Sequence, residues 1–166
     1  YIQSMLDDLP PDMAGKAATP AATHLFQVNI DADDLDEPTA QKLLFLCKHA
    51  RPDIQTAVAF LCTRVKKPDV DDYKKLTRVM RFLRGSINDP FTLEADNLSV
   101  IKWWIDASYA VHPDMKSHTG GMMSVGRGAT YSTSNKQKIN VRSWVLTIAC
   151  HRRCGHATSS KLKDTT

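Results

Sequence analysis

The sequence predicts an α+β protein in which a short helical unit is followed by an antiparallel β-meander, with irregular segments at both ends. Two patterns support this prediction. Apolar residues recur at helical spacing within residues 39–85, and glycine-bounded runs rich in β-branched and aromatic residues follow within residues 98–134. The chain has 166 residues, 42% of them apolar, so it can bury the core of one domain or of two small ones.

Residues 1–38 form an acidic lead-in, since residues 1–40 hold eight Asp and Glu against one Lys. The segment is rich in Pro and Asp, and neither the helical nor the strand period persists along it. We therefore expect it to be extended and largely irregular. Its expected core contacts are few, namely Leu25, Phe26 and Val28.

Residues 39–85 are expected to form three helices. The first carries a leucine-rich apolar stripe and ends before Pro52, because the residue that precedes a proline disfavours helical backbone. The second places apolar side chains from Ile54 to Val65 on one face, with Asp53 as its expected N-cap.

The third helix is expected to begin after Asp69 or Asp71 and to end at Gly85, where a C′ glycine is usual. Its inward side chains are predicted to be Tyr73, Leu76, Val79, Met80 and Leu83. Its outward side chains are basic: Lys74, Lys75, Arg78, Arg81 and Arg84. Such a stripe is usually a solvated surface, and the functional alternative is contact with nucleic acid phosphates.

Residues 86–97 are expected to connect the helices to the strands, and the meander follows them. The apolar run Val100–Ile105 predicts a buried strand, with Asp106 at its far end. Two shorter runs, Gly121–Val125 and Ala129–Ser134, predict further strands. A carboxylate at the end of a buried strand either caps the structure or takes part in chemistry.

Two features of the meander have both a structural and a functional interpretation. The triplet Gly126-Arg127-Gly128 lacks the Lys-Ser/Thr pair and the helix of a P-loop, so a hairpin turn is favoured over a phosphate loop. Trp103 and Trp104 have the chemistry to stack on bases. On a buried strand at least one of them belongs to the core, so both are assigned to structure.

The net charge of +4 is unevenly distributed along the chain. Residues 115–163 contain nine Lys and Arg and no Asp or Glu. An acid-free basic segment suits a phosphate backbone as its partner, and the alternative is a solvated surface.

Composition disfavours several classes of protein. No apolar run approaches the ~18 residues that a membrane span needs, and the N-terminus lacks an initiator Met and a signal sequence, so we expect a processed piece or an excerpt. Cys47 and Cys62 fall on apolar helical faces, where buried free thiols are usual, which favours a reducing intracellular compartment, cytoplasmic or nuclear. No Ser or Cys has a recognisable His partner motif, and no small-molecule substrate is expected.

The stretch KLLFLCKHARPDIQTAVAFLCTRVKKPDVDDYKKLTRVMRFLRG resembles the segment after the polymerase domain of copia-type LTR-retrotransposon reverse transcriptases. That family shows a leucine-rich helix, then Arg-Pro-Asp-Ile, then a helix that ends in Leu-Arg-Gly. The stretch WWIDASYAVHPDMKSHTGGMMSVGRGATYSTSNKQKIN resembles the opening of the family's ribonuclease H domain. Order and spacing agree over roughly residues 1–143.

The resemblance implies a division of the chain within a Pol polyprotein. Residues 1–38 correspond to the end of the reverse transcriptase region and residues 39–85 to its C-terminal connection unit. Residues 86–143 correspond to the N-terminal part of a ribonuclease H-like domain. Residues 144–166 depart from the family as an aberrant basic tail, expected to be disordered, and its RRCGHATS stretch suggests a frameshift or a missed splice.

The resemblance also implies that Asp106 is the first metal-binding aspartate of a ribonuclease H fold. The parent family is a transposable element that synthesises DNA on RNA, cleaves the RNA of RNA/DNA hybrids with Mg²⁺ and undergoes DNA integration. Two-metal hydrolysis needs several carboxylates, and the family's next one lies in a Ser-Thr-Glu-Ala-Glu helix. This chain has no acid between Asp114 and Asp164, so we expect an inactive fragment that binds no Mg²⁺ tightly.

Three alternatives remain open. Asp96 and Asp114 are the nearby acids that Asp106 could recruit, although the His-Pro-Asp turn favours a capping role for Asp114. A non-catalytic module that binds RNA/DNA hybrids or other nucleic acid weakly would use Lys74, Lys75, Arg78, Arg127, Lys136 and Lys138. A zinc-binding adaptor would use Cys150, His151, Cys154 and His156, although four ligands within seven residues would need a contorted loop.

Overall fold

The computed structural model describes residues 2–28, 40–96, 100–138 and 149–150. Helices come first along the chain and antiparallel strands follow, which confirms the α+β class with a small meander. The helices are α1 (Ile2–Asp7), α2 (Ala40–His49), α3 (Gln55–Arg64) and α4 (Val70–Gly85). The three helices predicted between residues 39 and 85 are therefore confirmed as α2, α3 and α4.

The start of α3 differs from the prediction. Pro52–Ile54 forms a 3₁₀ turn that runs directly into the helix, and no side chain caps it. Asp53 instead pairs with the Arg51 guanidinium, whose Nη2 lies 2.7 Å from Asp53 Oδ2. The same guanidinium donates to the carbonyl and the hydroxyl of Ser86, just beyond α4. The N-cap role expected of Asp53 is therefore wrong, because its carboxylate is held by the arginine.

A capping box begins α4. The Asp69 carboxylate accepts the Asp72 N–H at 2.7 Å, and the Asp72 carboxylate accepts the Asp69 N–H at 3.2 Å. This confirms Asp69 as the N-cap. Arg64, at the end of α3, pairs with both carboxylates, so the same box also fixes α3 against α4. As predicted, α4 buries Leu76, Val79, Met80 and Leu83.

Two details of α4 correct the predictions. Gly85 is the last helical residue and not the C′ glycine, and the Ser86 N–H closes the helix on the carbonyls of Phe82 and Leu83. Tyr73 packs against the core as predicted, but only in part: it is half-buried, and its hydroxyl donates to the Asp12 carboxylate at 2.7 Å.

The described part of the lead-in, residues 2–28, is mostly irregular, as predicted, but it contributes more to the core than expected. It contains α1 and a 3₁₀ turn, Pro11–Met13. Leu25 is buried, and Phe26 and Val28 pack against the core. The lead-in also buries Met5, Leu6 and Met13, which pack with the apolar faces of α2, α3 and α4.

The described strands form two antiparallel sheets. The larger has the order β5-β3-β2-β6, with β2 (Ile101–Ser108), β3 (His118–Ser124), β5 (Tyr131–Lys136) and β6 (Ala149–Cys150). The smaller pairs β1 (Glu94–Ala95) with β4 (Gly126–Arg127). The backbone of β6 pairs with Ile101 and Lys102, so two residues of the tail are ordered, and the rest of the predicted disordered tail lies outside the described residues.

The Gly126-Arg127-Gly128 triplet does more than turn the chain. It lies in the connection between the antiparallel strands β3 and β5, which confirms the expected hairpin, and its first two residues also pair with β1 as β4. A Cβ at Gly126 would collide with the Glu94 carbonyl oxygen of β1, which explains why glycine stands at this close approach. Gly128 has a φ of 79°, in the left-handed region that glycine adopts without strain.

The strand predicted to be buried is half-exposed. Along β2 no side chain is fully buried, and Trp104 is 40% exposed. Trp103 is half-buried, with its ring centroid 6.1 Å from that of Tyr131. The expectation that at least one of the two tryptophans belongs to the core is therefore wrong, since neither is fully buried. None of the helices in the described ranges combines the length and the apolarity that crossing a bilayer requires.

Candidate nucleic-acid interface

Asp106 lies on the exposed side of β2, opposite Gly120 of β3. Its side chain faces a groove of about 580 Å³ between the sheet and the start of α3. Phe91 and Trp104, each more than a third exposed, line the same groove, and so does Asp53. The groove therefore combines aromatic rings with two carboxylates.

The residues of this groove do not fit a pair of Mg²⁺ ions. Two-metal hydrolysis needs several free carboxylates, and Mg²⁺ demands near-octahedral oxygen ligands. Here Asp53 is already paired with Arg51, and Asp106 Oδ1 accepts the Ala107 N–H at 2.8 Å. Among the described residues, no three His, Cys, Asp or Glu side chains converge as a metal site would require.

The two acids named as possible partners of Asp106 are bound to lysines. Asp96 pairs with Lys102 at 3.2 Å. Asp114 lies in the predicted turn and pairs with Lys136 at 2.9 Å and with Lys116 at 3.4 Å. Burial acts to raise the pKa of Asp114, but the hydrogen bonds and charges of these two lysines outweigh it and lower the pKa. Neither acid lines the groove of Asp106 within the described part of the chain.

The basic face of α4 is covered in part by the lead-in. Arg78 donates to the carbonyl and the hydroxyl of Thr19, and Arg81 donates to the Asp12 carbonyl at 3.0 Å. Lys74 is exposed, as expected. Lys75 is buried, so its predicted outward position is wrong: its ammonium donates to the Gln27 carbonyl and pairs with Asp71 at 3.1 Å.

Between the lead-in and α4 lies a cavity of about 410 Å³ that we call the basic cavity. Five cationic side chains line it: Lys16, Lys74, Lys75, Arg78 and Arg81. Asp71 is the one carboxylate among the described lining residues, and it is already paired with Lys75. The cavity is therefore strongly positive, and it contains all three of the candidate binding residues that the sequence placed on α4.

The other three candidates lie on or beside the sheet. Arg127 is exposed on β4, and Lys138 is exposed just after β5. Lys136 is half-buried at the end of β5 and is held by Asp114. Arg127 and Lys138 therefore remain accessible to a phosphate backbone, while the charge of Lys136 is compensated.

A buried polar chain that the sequence did not predict joins the meander to α3. His112 Nε2 lies 3.0 Å from His118 Nδ1, and His118 Nε2 lies 2.6 Å from Ser134 Oγ. Ser134 in turn reaches the Thr56 hydroxyl at 3.4 Å. Phe26 of the lead-in packs against both imidazole rings at 5.1 Å. Four separate segments therefore meet at this chain.

The direction of the hydrogen bonds in this polar chain follows from the donors and acceptors that its side chains offer. If His112 donates to His118, and His118 to Ser134, then the Ser134 hydroxyl is free to donate to Thr56, and only a lone pair on His112 Nδ1 lacks a partner among the described residues. The opposite direction keeps the same contacts, because the Thr56 hydroxyl can donate to Ser134, but it leaves the buried N–H at His112 Nδ1 without a partner among the described residues, which is costlier than an unpaired lone pair. In the favoured direction Ser134 accepts from the imidazole, so it has no base to activate it as a nucleophile.

Both histidines of this chain are buried, and their pKa values are lowered. Burial, then repulsion by His118 and Lys136, lowers the pKa of His112 to about 4, although Asp114 acts the other way. Burial also lowers the pKa of His118. Both rings are neutral at physiological pH. In the sequence the only signal was two histidines six residues apart across a turn, which alone does not predict a contact.

Two of the four cysteines, Cys47 and Cys62, lie in the described part of the chain with their side chains. Cys47 is buried and Cys62 half-buried, both are free thiols, and burial raises the pKa of each, so the expected free thiols are confirmed. The side chains of the proposed zinc ligands Cys150, His151, Cys154 and His156 lie outside the described residues.

Comparisons with models of protein families, with curated proteins and with solved structures find no match to this chain. The resemblance to copia-type polyproteins therefore rests on the sequence motifs alone.

Proposed function

We propose that the chain is a fragment of a copia-type retrotransposon Pol polyprotein that spans the boundary between reverse transcriptase and ribonuclease H. The parental role would be RNA-directed DNA synthesis and Mg²⁺-dependent cleavage of RNA in RNA/DNA hybrids. The proposal is supported by the position of Asp106 on the first long strand of an antiparallel meander that follows a helical unit. An intracellular location, cytoplasmic or nuclear, belongs to the same proposal.

This piece is proposed to be catalytically inactive. Among the described residues that line the groove around Asp106, only this aspartate is a carboxylate without a cationic partner, since Asp53 is bound to Arg51. One carboxylate cannot hold two metal ions at the attacking and leaving oxygens of a phosphodiester.

The test is incubation of the whole chain with a labelled RNA/DNA hybrid and Mg²⁺, with Asp106→Asn and Asp96→Asn alongside. We expect no cleavage by any of the three proteins, while a ribonuclease H run in parallel cleaves the same hybrid. Cleavage that Asp106→Asn abolishes and Asp96→Asn preserves would contradict the proposed inactivity, because the missing carboxylates would then be supplied from elsewhere in the chain.

A second candidate function is a non-catalytic nucleic-acid-binding module. The observation that favours it is the basic cavity together with the exposed Arg127 and Lys138. Binding through phosphates releases counterions, so the affinity for a hybrid should fall steeply as salt rises and should not require a metal ion. Retardation of a labelled hybrid at several salt concentrations, with and without a chelator, measures both properties. Retardation that is insensitive to salt would contradict this function.

A further inference from the structure

We propose that the basic cavity between the lead-in and α4 is a binding site for a phosphate monoester, either a free mononucleotide or the 5′-phosphorylated end of a nucleic acid strand. This inference rests on the nucleic-acid-binding function proposed above and specifies the chemical group that the cavity takes. Nothing in the sequence predicted the cavity, because one of its walls is the irregular lead-in.

The charge of the cavity is not neutralised by the contacts that hold its walls together. Arg78 and Arg81 donate to a carbonyl and a hydroxyl of Thr19 and to the Asp12 carbonyl, which satisfy hydrogen bonds without cancelling charge. Within the described part of the chain, the only ion pairs at the cavity belong to Lys75, with Asp71 at 3.1 Å and Asp72 at 3.8 Å. Among the described residues, the four other cationic side chains at the cavity therefore have no carboxylate partner: Lys16, Lys74, Arg78 and Arg81.

The arrangement suits a compact dianion better than a neutral ligand. Cations that line one low-dielectric concavity focus their field into it and raise the local concentration of anions. Arg78 is already oriented by Thr19, so less side-chain freedom is lost when its guanidinium meets an anion. Lys16 and Lys74 are exposed on opposite walls, one on the lead-in and one on α4, and both line the cavity. They can therefore approach one bound group from two sides.

A phosphate monoester matches this site more closely than a backbone diester does. It carries roughly 1.5 to 2 negative charges near neutral pH and three acceptor oxygens, whereas a diester carries one charge. The cavity volume of about 410 Å³ falls within the range of about 300 to 1,000 Å³ that is typical of small-molecule sites. It is large enough for a terminal nucleotide, while a continuous strand would have to pass through it.

The test measures binding of the whole chain to one single-stranded oligonucleotide, 3′-labelled and prepared with either a 5′-phosphate or a 5′-hydroxyl, by fluorescence anisotropy. AMP and inorganic phosphate are added as competitors. The test variant is Lys16→Gln with Lys74→Gln, and the charge-matched control is Lys48→Gln with Lys66→Gln, all four being exposed side chains. Thermal unfolding of each variant shows that the fold is kept.

We expect the 5′-phosphorylated strand to bind about tenfold more tightly than the 5′-hydroxyl strand, since charge-assisted hydrogen bonds are the strong ones. The test variant should lose this preference and the control should keep it. Competition by AMP as effective as the strand itself would identify a mononucleotide as the ligand. Competition by the phosphorylated strand alone would identify the strand end.

Two results would overturn the inference, and they differ in what they say about the nucleic-acid-binding function. Equal binding of the two strands, weakened equally by both pairs of substitutions, would leave general electrostatic binding intact and remove the monoester site. Absence of binding to either strand at low salt would remove both.

Discussion

Acid is expected to weaken the packing of the meander on the helical unit through His112. This side chain is 2% exposed, stacks on Phe60 and contacts His118. Its pKa falls from an ordinary 6.5 to about 4 in the folded chain, through burial first and then through repulsion by His118 and Lys136, against the attraction of Asp114. Between these two values the unfolded chain binds more protons than the folded one, so stability is present above the unfolded pKa and is lost as the pH falls.

The magnitude follows from the same two pKa values. Linkage gives a loss of about 1 to 2 kcal/mol in the free energy of unfolding between about pH 7 and about pH 5 for His112 alone. Burial lowers the pKa of His118 as well, so its titration adds to the loss in the same direction.

Urea unfolding at both pH values measures the loss directly. His112→Phe keeps an aromatic ring against Phe60 and removes the titrating group, so it should be less stable at neutral pH and lose about 1 to 2 kcal/mol less on acidification than the unmodified chain. His24→Gln, which changes an exposed histidine of the lead-in, is the control and should behave like the unmodified chain. Equal acid losses in the unmodified chain and in His112→Phe would refute the reasoning.

Three further predictions concern the core and the caps. Met13→Ala should lower the free energy of unfolding, measured in urea, by about 2 to 5 kcal/mol, because this residue is 1% exposed. Met115→Ala, at a residue that is 62% exposed, should leave it almost unchanged. Equal losses in the two variants would contradict the packing of the lead-in. Asp69→Ala should lower the free energy of unfolding by about 1 to 2 kcal/mol through loss of the capping box, whereas Asp71→Ala, which leaves the box intact, should have the smaller effect. Cys47 should be alkylated only on unfolding and after Cys62, because Cys47 is 1% exposed and burial raises the pKa of its thiol. Peptide mapping measures the order of modification. If Cys47 is modified first, α2 does not pack against the core in this way.

The helical unit was predictable because its signals are local. The apolar period of each helix, the proline after α2 and the acids before α4 all lie within one or two turns of the element that they specify. The acids before α4 predicted an N-cap at Asp69 or Asp71, and the structure places it at Asp69, where Asp72 completes a capping box. Asp53 stands in a similar local setting before α3, but Arg51 binds its carboxylate, and that arginine is itself fixed by Ser86, 35 residues away. The sequence near α3 contains no sign of this competition.

The lead-in was only partly predictable because its contacts are long-range. Met13 is isolated in a polar stretch, and its burial depends on α4, whose Arg84 donates to the Met13 carbonyl across 71 residues. The same distance explains the error at Lys75. The basic pattern places it on the outer face of α4, whereas its ammonium lies 4.9 Å from the centre of the Phe60 ring of α3 and donates to the Gln27 carbonyl of the lead-in. A charge pattern predicts which face of a helix is polar, but it does not predict what that face contacts.

The Asp106 groove and the basic cavity show that the function of a charged residue cannot be predicted from its place in the sequence alone. Asp106 was prominent in the sequence because a lone acid follows an apolar run, yet its function depends on how many free carboxylates surround it, and Asp53 beside it is neutralised by Arg51. Lys74 and Arg78 were unremarkable members of a basic stripe, and their importance comes from a second wall that leaves their charge uncancelled. In both cases the chemistry is set by whether neighbouring groups compensate the charge. Among the described residues, the groove around Asp106 therefore has too few free carboxylates for two metal ions, while the lining of the basic cavity carries an excess of positive charge that suits the proposed anion.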